Sequence, residues 1–161
     1  MSHDRGCPCG KEPYEYDECR KASCTRNPLN KKEAAPMSAN STQIGGSHYA
    51  ATLQHWDVVE GHGIGYLEAA ATKYVTRWRK KNGRQDLEKA RHYTIKLMEL
   101  FNNGLRLPRG IVPLEKVVLY NAANGLTPTE GKIMELLFRW ETFSDLFAAE
   151  GLIVQLMDEV P

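Results

Sequence analysis

Three absences narrow the class of protein to which this 161-residue chain belongs. No Gly-x-x-x-x-Gly-Lys-[Ser/Thr] loop occurs in it, which excludes the common phosphate-binding loop of nucleotide enzymes. No apolar run approaches the roughly 18 residues that a membrane-spanning helix needs, so we expect no membrane association. The start of the chain, from Met1 to Arg5, has no hydrophobic signal core behind it, and we expect a cytosolic protein.

An excess of charge of one sign is also missing. The chain has 21 Lys and Arg residues against 20 Asp and Glu residues, which gives a net charge of +1. It therefore lacks the bulk field that attracts DNA or an anionic membrane, and nucleic acid is not an expected partner. Hydrophobic residues make up 42% and charged residues 25%, as in an ordinary soluble protein with one compact domain and a tail.

Cysteine is absent after residue 24, and the four cysteines are Cys7, Cys9, Cys19 and Cys24. In a reducing cytosol such a cluster favours a metal site over disulfides. Four thiolates would hold a structural Zn²⁺ and leave no open position for a substrate, with His3 as a candidate replacement for one sulfur. The C-x-C-x9-C-x4-C spacing departs from the usual C-x2-C knuckle, so an irregular tail with free thiols is the alternative interpretation.

The remaining chain divides into a linker and a helical part. Residues 27–43 carry turn residues and no apolar period, which predicts a linker behind the Cys-rich tail of residues 1–26. Residues 44–104 are predicted to form a helical core, and residues 105–161 to add helices that serve as packing or oligomerisation surface. The expected fold class is all-α, a small helical bundle with a helical hairpin core and a largely irregular N-terminal tail.

Apolar periodicity and capping signals locate the helices within this part of the chain. The predicted helices are Thr52–Glu60, Tyr66–Lys81, one from Asp86 to about Asn103, Leu114–Asn124, one starting at the capping box Thr127–Glu130, and Ser144–Glu159. Trp56 in the first helix, and a stripe in the second made of Leu67, Ala71, Tyr74 and Trp78, are expected to face the core.

A cationic stripe accompanies that apolar stripe on the second helix. Lys73, Arg77 and Lys80 recur at i, i+4 and i+7, and none of them has an acidic partner at the i,i+4 spacing. Either an acidic neighbour from another element or a bound phosphate is needed to neutralise them. The alternative is an ordinary solvated basic face.

Asn82-Gly83 is predicted to end the second helix, so that the second and third helices form an antiparallel hairpin. This hairpin would bring Tyr74, Arg77, Asp86, Lys89 and Tyr93 to one surface. Asp86 is a candidate acid–base group or metal ligand, although its position also suits a helix cap.

Before the first helix, Gly45-Gly46 allows close backbone approach to a phosphate, although a flexible helix entry would use the same dipeptide. His48 and Tyr49 beside it can hydrogen-bond a phosphate or the edge of a base, or pack and cap.

A set of short motifs within residues 45–101 carries a resemblance. The motifs are Ser47-His48-Tyr49, then Lys73-Tyr74 with Arg77 and Lys80-Lys81, then Asp86-Leu87-x-Lys89-Ala90-x-x-Tyr93. With these motifs the segment resembles the small nucleotide kinases that tailed phages encode and that lack a P-loop. The glycine-rich stretch after Glu60 and the helical C-terminal part are not dictated by this family pattern.

The resemblance implies phosphoryl transfer from a nucleoside triphosphate to a deoxynucleoside monophosphate, by an oligomer in the cytoplasm of an infected host cell. Lys73, Arg77 and Asp86 would be the catalytic residues, with the cations offsetting charge on the transferred group. The residues implied to bind substrate are Gly45, Gly46, Ser47, His48, Tyr49, Tyr74, Lys80, Lys81, Lys89 and Tyr93. Mg²⁺ stays open because no two-carboxylate site is evident. Arg77→Ala is expected to abolish nucleotide binding and to leave helicity intact.

Three other functions are compatible with this sequence. A non-catalytic protein that sequesters a nucleotide would use these cations and aromatic rings without turnover. An all-α nucleotide pyrophosphohydrolase would need several helix-borne carboxylates, for which Glu60, Glu68, Asp86 and Glu88 are the candidates, without the paired acidic spacing that such a site prefers. An adaptor would bind a host protein through the apolar C-terminal helices.

Overall fold

The computed structural model describes residues 39–41, 44, 51–104 and 110–160 of the chain. Within these residues it contains six α-helices and no strand, which confirms the predicted all-α class. The helices are α1 His55–Gly61, α2 Tyr66–Arg77, α3 Arg84–Asn102, α4 Leu114–Asn124, α5 Pro128–Arg139 and α6 Phe143–Asp158, and short 3-10 segments occupy Ala39–Ser41 and Trp78–Lys80. The chain divides after Ser41 into two units, and the unit from Thr42 to Pro161 contains all six helices.

Helices α2 and α3 form the predicted antiparallel hairpin, and they share the most extensive helix contact among the described residues. Helix α5 packs on α2, α6 packs on both α3 and α5, and α4 packs on α5. The residues at the centre of the core, all fully buried, are Val75, Leu87, Leu97, Ile133 and Ile153. The helices after residue 110 therefore complete the core that the hairpin begins.

The buried face of α2 differs from the predicted stripe. Its fully buried residues include Ala71, Thr72 and Val75, whereas Tyr74 and Trp78 of the predicted stripe are only half-buried. The hydroxyl of Thr72 donates to the carbonyl of Glu68 at 2.7 Å, which lets a polar residue enter the core without an unsatisfied group. Periodicity of apolar residues alone could not find a face built from threonine and alanine.

Helix α1 is shorter than predicted, and it buries a different face. It begins at His55, and Val58 and Val59 are its buried residues. Trp56 is 45% exposed, so its prediction as a core residue is wrong. The two adjacent valines already fill the inner face of this seven-residue helix, and Trp56 lies on another side of it.

Both C-terminal helices begin with capping boxes. Thr127 and Glu130 exchange the expected hydrogen bonds at the start of α5, which confirms the prediction made there. Thr142 and Asp145 do the same for α6, where the sequence had not led us to predict a capping box. Each box satisfies backbone N–H groups that a helix otherwise leaves without partners.

The turn between α2 and α3 depends on a glycine. The N–H of Gly83 donates to the carbonyl of Trp78 at 2.8 Å, and Gly83 has φ +54° and ψ −133°, a backbone conformation that L side chains rarely adopt. Gly83 is also the N-cap residue of α3 and makes no side-chain cap. Asp86 lies in the first turn of α3 and is not its cap, which leaves its side chain available to α2.

Residues 62–65 form the turn between α1 and α2. The N–H of Ile64 donates to the carbonyl of Val59 at 3.0 Å and closes the end of α1. The backbone at Gly110 lies so close to the carbonyl of His62 that a Cβ at position 110 would collide with it. None of the helices in the described ranges combines the length and the apolar character required to cross a bilayer.

Candidate functional site

The hairpin joins a guanidinium on α2 to a carboxylate on α3. Arg77 Nε donates to Asp86 Oδ2 at 3.0 Å, and a second guanidinium nitrogen of Arg77 lies 3.4 Å from Asp86 Oδ1. Asn82 Nδ2 donates to the same Oδ1 at 3.0 Å, and Lys89 Nζ lies 3.6 Å from it. The Asp86 side chain is 0% exposed and that of Arg77 is 11% exposed, so this pair is nearly removed from water.

These neighbours keep Asp86 ionised. Burial by itself would raise the pKa of Asp86, but the hydrogen bonds from Arg77 and Asn82, and the charges of Arg77 and Lys89, hold that pKa below its ordinary value of 3.8. A carboxylate held in this state is a poor proton acceptor at neutral pH. Its chemical effect is to fix the guanidinium of Arg77 in one place.

Three cations surround the ring of Tyr74. Lys73 Nζ lies 4.9 Å from the ring centroid, Arg77 Cζ 4.7 Å and Lys89 Nζ 5.5 Å. All three distances are within the range in which a cation is attracted by an aromatic ring. No acidic side chain in the described part of the chain forms an ion pair with Lys73.

Tyr93 extends this group along α3. Its ring stacks on that of Tyr74 with centroids 5.9 Å apart and planes 14° from parallel. Its hydroxyl lies 3.4 Å from the hydroxyl of Tyr66, a hydrogen bond that raises the pKa of Tyr93 above its ordinary value. We call the set of Lys73, Tyr74, Arg77, Asp86, Lys89 and Tyr93 the hairpin cluster.

An open pocket of about 340 Å³ lies against the α3 side of the hairpin cluster. Its lining residues are Tyr74, Gln85, Glu88, Lys89, His92 and Tyr93. The one acid in this lining, Glu88, is paired with Arg84 at 3.4 Å on the same helix. We call this cavity the Tyr93 pocket.

Lys80 and Lys81, two other predicted binding residues, are not part of the cluster. The α-helical part of α2 ends at Arg77, and both lysines are exposed at the end of the following 3-10 segment. Neither contacts the ring of Tyr74 or the carboxylate of Asp86 among the described side chains. The structure thus brings together six of the predicted site residues and leaves these two at the margin.

The remaining predicted site residues cannot be placed. Gly45, Gly46, Ser47, His48 and Tyr49, and the proposed metal ligands Cys7, Cys9, Cys19 and Cys24, lie outside the described residues. In the ranges that are described, no group of three or more His, Cys, Asp or Glu side chains is arranged to hold a metal ion. Asp86, the carboxylate of the hairpin cluster, has both oxygens engaged by Arg77 and Asn82.

A second arginine–carboxylate pair lies at the other side of the same helix end. Arg79 Nε and one terminal nitrogen donate to the two carboxylate oxygens of Glu130, at 2.9 and 2.7 Å. Trp78 Nε1 donates to Glu130 at 2.6 Å, and the backbone N–H of Thr127 donates at 2.7 Å. This network fastens α5 to the end of α2.

Sequence reasoning missed a second pocket, beside Lys73. A cavity of about 230 Å³ is lined by Gln54, His55, Trp56 and Lys73, and we call it the Trp56 pocket. His55 Nε2 lies 2.9 Å from the hydroxyl oxygen of Thr72, and its ring packs against Tyr120 and Phe138. The sequence contained one signal for it, the His55-Trp56 pair eighteen residues before Lys73-Tyr74, but no local pattern connects the two.

His55 is neutral in this position. Burial, and then the charge of Lys73, lower the pKa of His55 from 6.5 to about 4. A neutral imidazole has one donor nitrogen and one acceptor nitrogen, and it does not repel Lys73. The wall of the Trp56 pocket is therefore uncharged at neutral pH apart from Lys73.

Comparison with known proteins identifies a segment of the chain without assigning an activity. Residues 45–94 match a family described only as a protein of unknown function, DUF3310. The matched segment covers α1, α2 and α3 as far as Thr94, and it includes every member of the hairpin cluster and of the Trp56 pocket. No curated protein and no solved structure matches the chain.

Proposed function

We propose that this protein is a nucleotide kinase that binds phosphates at the hairpin cluster and transfers a phosphoryl group from a nucleoside triphosphate to a deoxynucleoside monophosphate. One observation carries the proposal: three cations gather around Tyr74 with one carboxylate among them. Positive charges this close together repel one another, and a bound anion would relieve that repulsion. Because the segment resembles phage nucleotide kinases, we take this anion to be the phosphate groups of a nucleotide.

The aromatic residues support a nucleotide over inorganic phosphate. Tyr93 stacks on Tyr74 and lines a pocket that opens beside Lys89. Stacking on an aromatic ring is favourable for every base, because every base has a flat π-face. A nucleotide can therefore place its base in the Tyr93 pocket and its phosphates at Lys89, Lys73 and Arg77.

The proposed reaction needs charge stabilisation more than proton transfer. An oxygen of the acceptor phosphate forms a bond to the γ-phosphorus of the donor while the bond from that phosphorus to the β–γ bridging oxygen breaks, and a nucleoside diphosphate leaves. Negative charge on the transferred group is offset by fixed cations, a role suited to Lys73 and to Arg77 held by Asp86. Asp86 acts by positioning Arg77.

Magnesium does not fit the hairpin cluster as a protein-held ion. Both oxygens of Asp86 already accept hydrogen bonds, and no group of three or more His, Cys, Asp or Glu side chains among the described residues is arranged to hold a metal ion. A protein of this kind would meet Mg²⁺ as part of the bound triphosphate, where phosphate oxygens and waters supply its ligands.

The second candidate function is nucleotide binding without turnover. It is favoured by the state of Asp86, whose low pKa and engaged oxygens leave the hairpin cluster with no proton acceptor suited to neutral pH. Binding without transfer would use the same three cations and the same two tyrosine rings. Product formation separates the two functions.

The experiment that tests the proposal is a substrate panel. Each deoxynucleoside monophosphate is incubated with a nucleoside triphosphate, with and without Mg²⁺, and the products are separated by chromatography. A new deoxynucleoside diphosphate, formed in equal amount to the diphosphate of the donor, is the expected result. Binding by calorimetry with no diphosphate would replace the kinase with the non-catalytic binder.

The Lys73→Ala variant tests whether the kinase activity resides at the hairpin cluster. Removing a cation that stabilises the transferred group should lower kcat/KM about 100-fold. Lys96→Ala is the matched control, because Lys96 is an exposed lysine on α3 that pairs with Glu99 and lies outside the hairpin cluster. Equal activity in the two variants would place the site elsewhere in the chain.

A further inference from the structure

We propose that the Trp56 pocket holds the base of a second nucleotide, so that Lys73 stands between two nucleotide sites. This inference rests on the proposed function, since it assigns separate positions to the two nucleotides of the reaction. The first argument is the position of Trp56. Its indole ring is 45% exposed and lines the cavity, so a flat ligand that enters the cavity can reach the ring and stack on it.

The second argument is the position of Lys73. Its side chain lines the Trp56 pocket, and its Nζ also lies 4.9 Å from the ring of Tyr74 in the hairpin cluster. A cation in this place can contact a phosphate that comes from either direction. Since phosphoryl transfer requires the donor and acceptor phosphates to meet in line, a cation shared by two sites lies where the transferred group must pass.

The third argument is the chemistry and size of the pocket wall. His55 is held by Thr72 and by the rings of Tyr120 and Phe138, so the wall is preorganised and does not have to reorder when a ligand enters. Whole small-molecule ligands occupy cavities of about 300 Å³ or more. A cavity of about 230 Å³ suits a single base, with the sugar and phosphates outside it toward Lys73.

Tryptophan fluorescence provides a direct test. A base that stacks on Trp56 should quench the fluorescence of the full-length wild-type protein, and the quenching should disappear in Trp56→Phe. The other two tryptophans donate their indole N–H groups to Glu130 and Glu68, so they are held by the fold. The probes are a deoxynucleoside monophosphate that is a substrate in the panel and ATP, each titrated alone.

Calorimetry of variants should distinguish the nucleotide bound in the Trp56 pocket from the one bound in the Tyr93 pocket. We expect Trp56→Ala to lower the affinity for one of the two nucleotides about tenfold and to leave the affinity for the other unchanged. Tyr93→Ala should lower the affinity for the other nucleotide instead. Phe147→Ala is the matched control, because Phe147 is an exposed aromatic residue on α6 that lines neither pocket. Circular dichroism of each variant verifies that the helices are retained.

The results of these experiments test the second subsite and the proposed function separately. If nucleotides bind the wild type and Trp56→Ala lowers the affinity for neither, or for both equally, the second subsite is wrong. The proposed function is then unaffected, and the product assay decides it. If no nucleotide binds the wild type, the proposed function and this inference are both wrong. Quenching that persists in Trp56→Phe would also overturn the assignment, because it would come from another tryptophan.

Discussion

Arg77 and Arg79 are two residues apart at the end of α2, and each reaches a buried carboxylate on a different helix. The Arg79–Glu130 network is closed, in the sense that its charges balance and its carboxylate is buried among protein donors. Trp78, Arg79 and the N–H of Thr127 all donate to Glu130, whose side chain is 1% exposed, and one positive charge meets one negative charge. Its effect is to join α5 to α2.

The Arg77–Asp86 pair has the same chemistry but a different surrounding. Lys89 also approaches Asp86, and Lys73 lies beside the ring that Arg77 covers, so the hairpin cluster has three cations for one carboxylate. Two pockets open next to it. The comparison teaches that a buried ion pair is not by itself a sign of function. What supports our proposal of a ligand at the hairpin cluster is the excess of like charge beside aromatic rings and a cavity.

The largest expected effect in this comparison is that of Arg77→Ala. The substitution removes a charge that we propose binds phosphate, so nucleotide affinity should fall more than 100-fold. It also leaves Asp86 buried without its main partner, so the free energy of unfolding should fall by about 3 kcal/mol. Calorimetry and denaturant unfolding measure the two quantities. The structure thus adds a loss of stability to the sequence-based expectation that only binding would change.

The control for this variant is Arg91→Ala. Arg91 pairs with Glu150 across α3 and α6 at 2.6 Å, but its side chain is 45% exposed, so the pair lies at the surface. Nucleotide affinity should stay at the wild-type value. An Arg77→Ala protein that binds nucleotides normally would show that the hairpin cluster is a structural pair like Arg79–Glu130.

Glu130→Ala tests the closed network. The substitution removes the partner of Arg79 and Trp78 and one half of the capping box, and the free energy of unfolding should fall by about 3 kcal/mol. Affinity for nucleotide, measured on the folded fraction at low temperature, should not change. Glu135→Ala, which removes an exposed pair with Lys132, should change stability little.

Asp86→Asn should have a pH-dependent effect. Because the folded-state pKa of Asp86 is depressed, its ionised form adds stability above the unfolded-state pKa near 3.8, and that stability is lost as the pH falls through the lower folded-state pKa. The variant should therefore be less stable than the wild type at pH 7, by about 2 kcal/mol. The difference should shrink below about pH 4, as urea unfolding at a series of pH values can show.

The smallest expected effect is that of Gly83→Ala. The positive φ at Gly83 is unfavourable for alanine, and the free energy of unfolding should fall by about 1 to 2 kcal/mol. Gly151→Ala in α6 is the matched control, since a Cβ there meets nothing within 4 Å. In a helix interior that change should increase stability by up to about 1 kcal/mol. Equal stability changes of the two variants would contradict the strain assigned to the Gly83 turn.

Much of the fold was predictable because its signals are local. Leu114–Asn124 and the start of α5 match the predicted positions, since a proline, a capping box and an apolar period each act within about four residues. The hairpin of α2 and α3 followed from Asn82-Gly83 between two periodic segments. The convergence of Tyr74, Arg77, Asp86, Lys89 and Tyr93 followed in turn, because the hairpin geometry leaves few other arrangements.

Contacts between distant segments could not be predicted in this way. Glu130 lies 51 residues after Arg79, and nothing near either residue indicates the pairing. The buried face of α2 was shifted because its threonines satisfy their hydroxyls on their own helix, which hydrophobic periodicity does not detect. Trp56 was assigned to the core because most of the surface of a tryptophan side chain is buried in an average protein.

The sequence by itself determined that this protein is all-α, where most of its helices lie, and which residues gather on the hairpin. Helix formation and capping depend on neighbours a few residues away, so the order of residues is sufficient for them. Only the tertiary structure decided that Glu130 meets Arg79, that Asp86 holds Arg77 and is not a helix cap, and that the Trp56 pocket opens beside Lys73. These contacts depend on how the helices pack, because the partners come from different helices and share no local pattern.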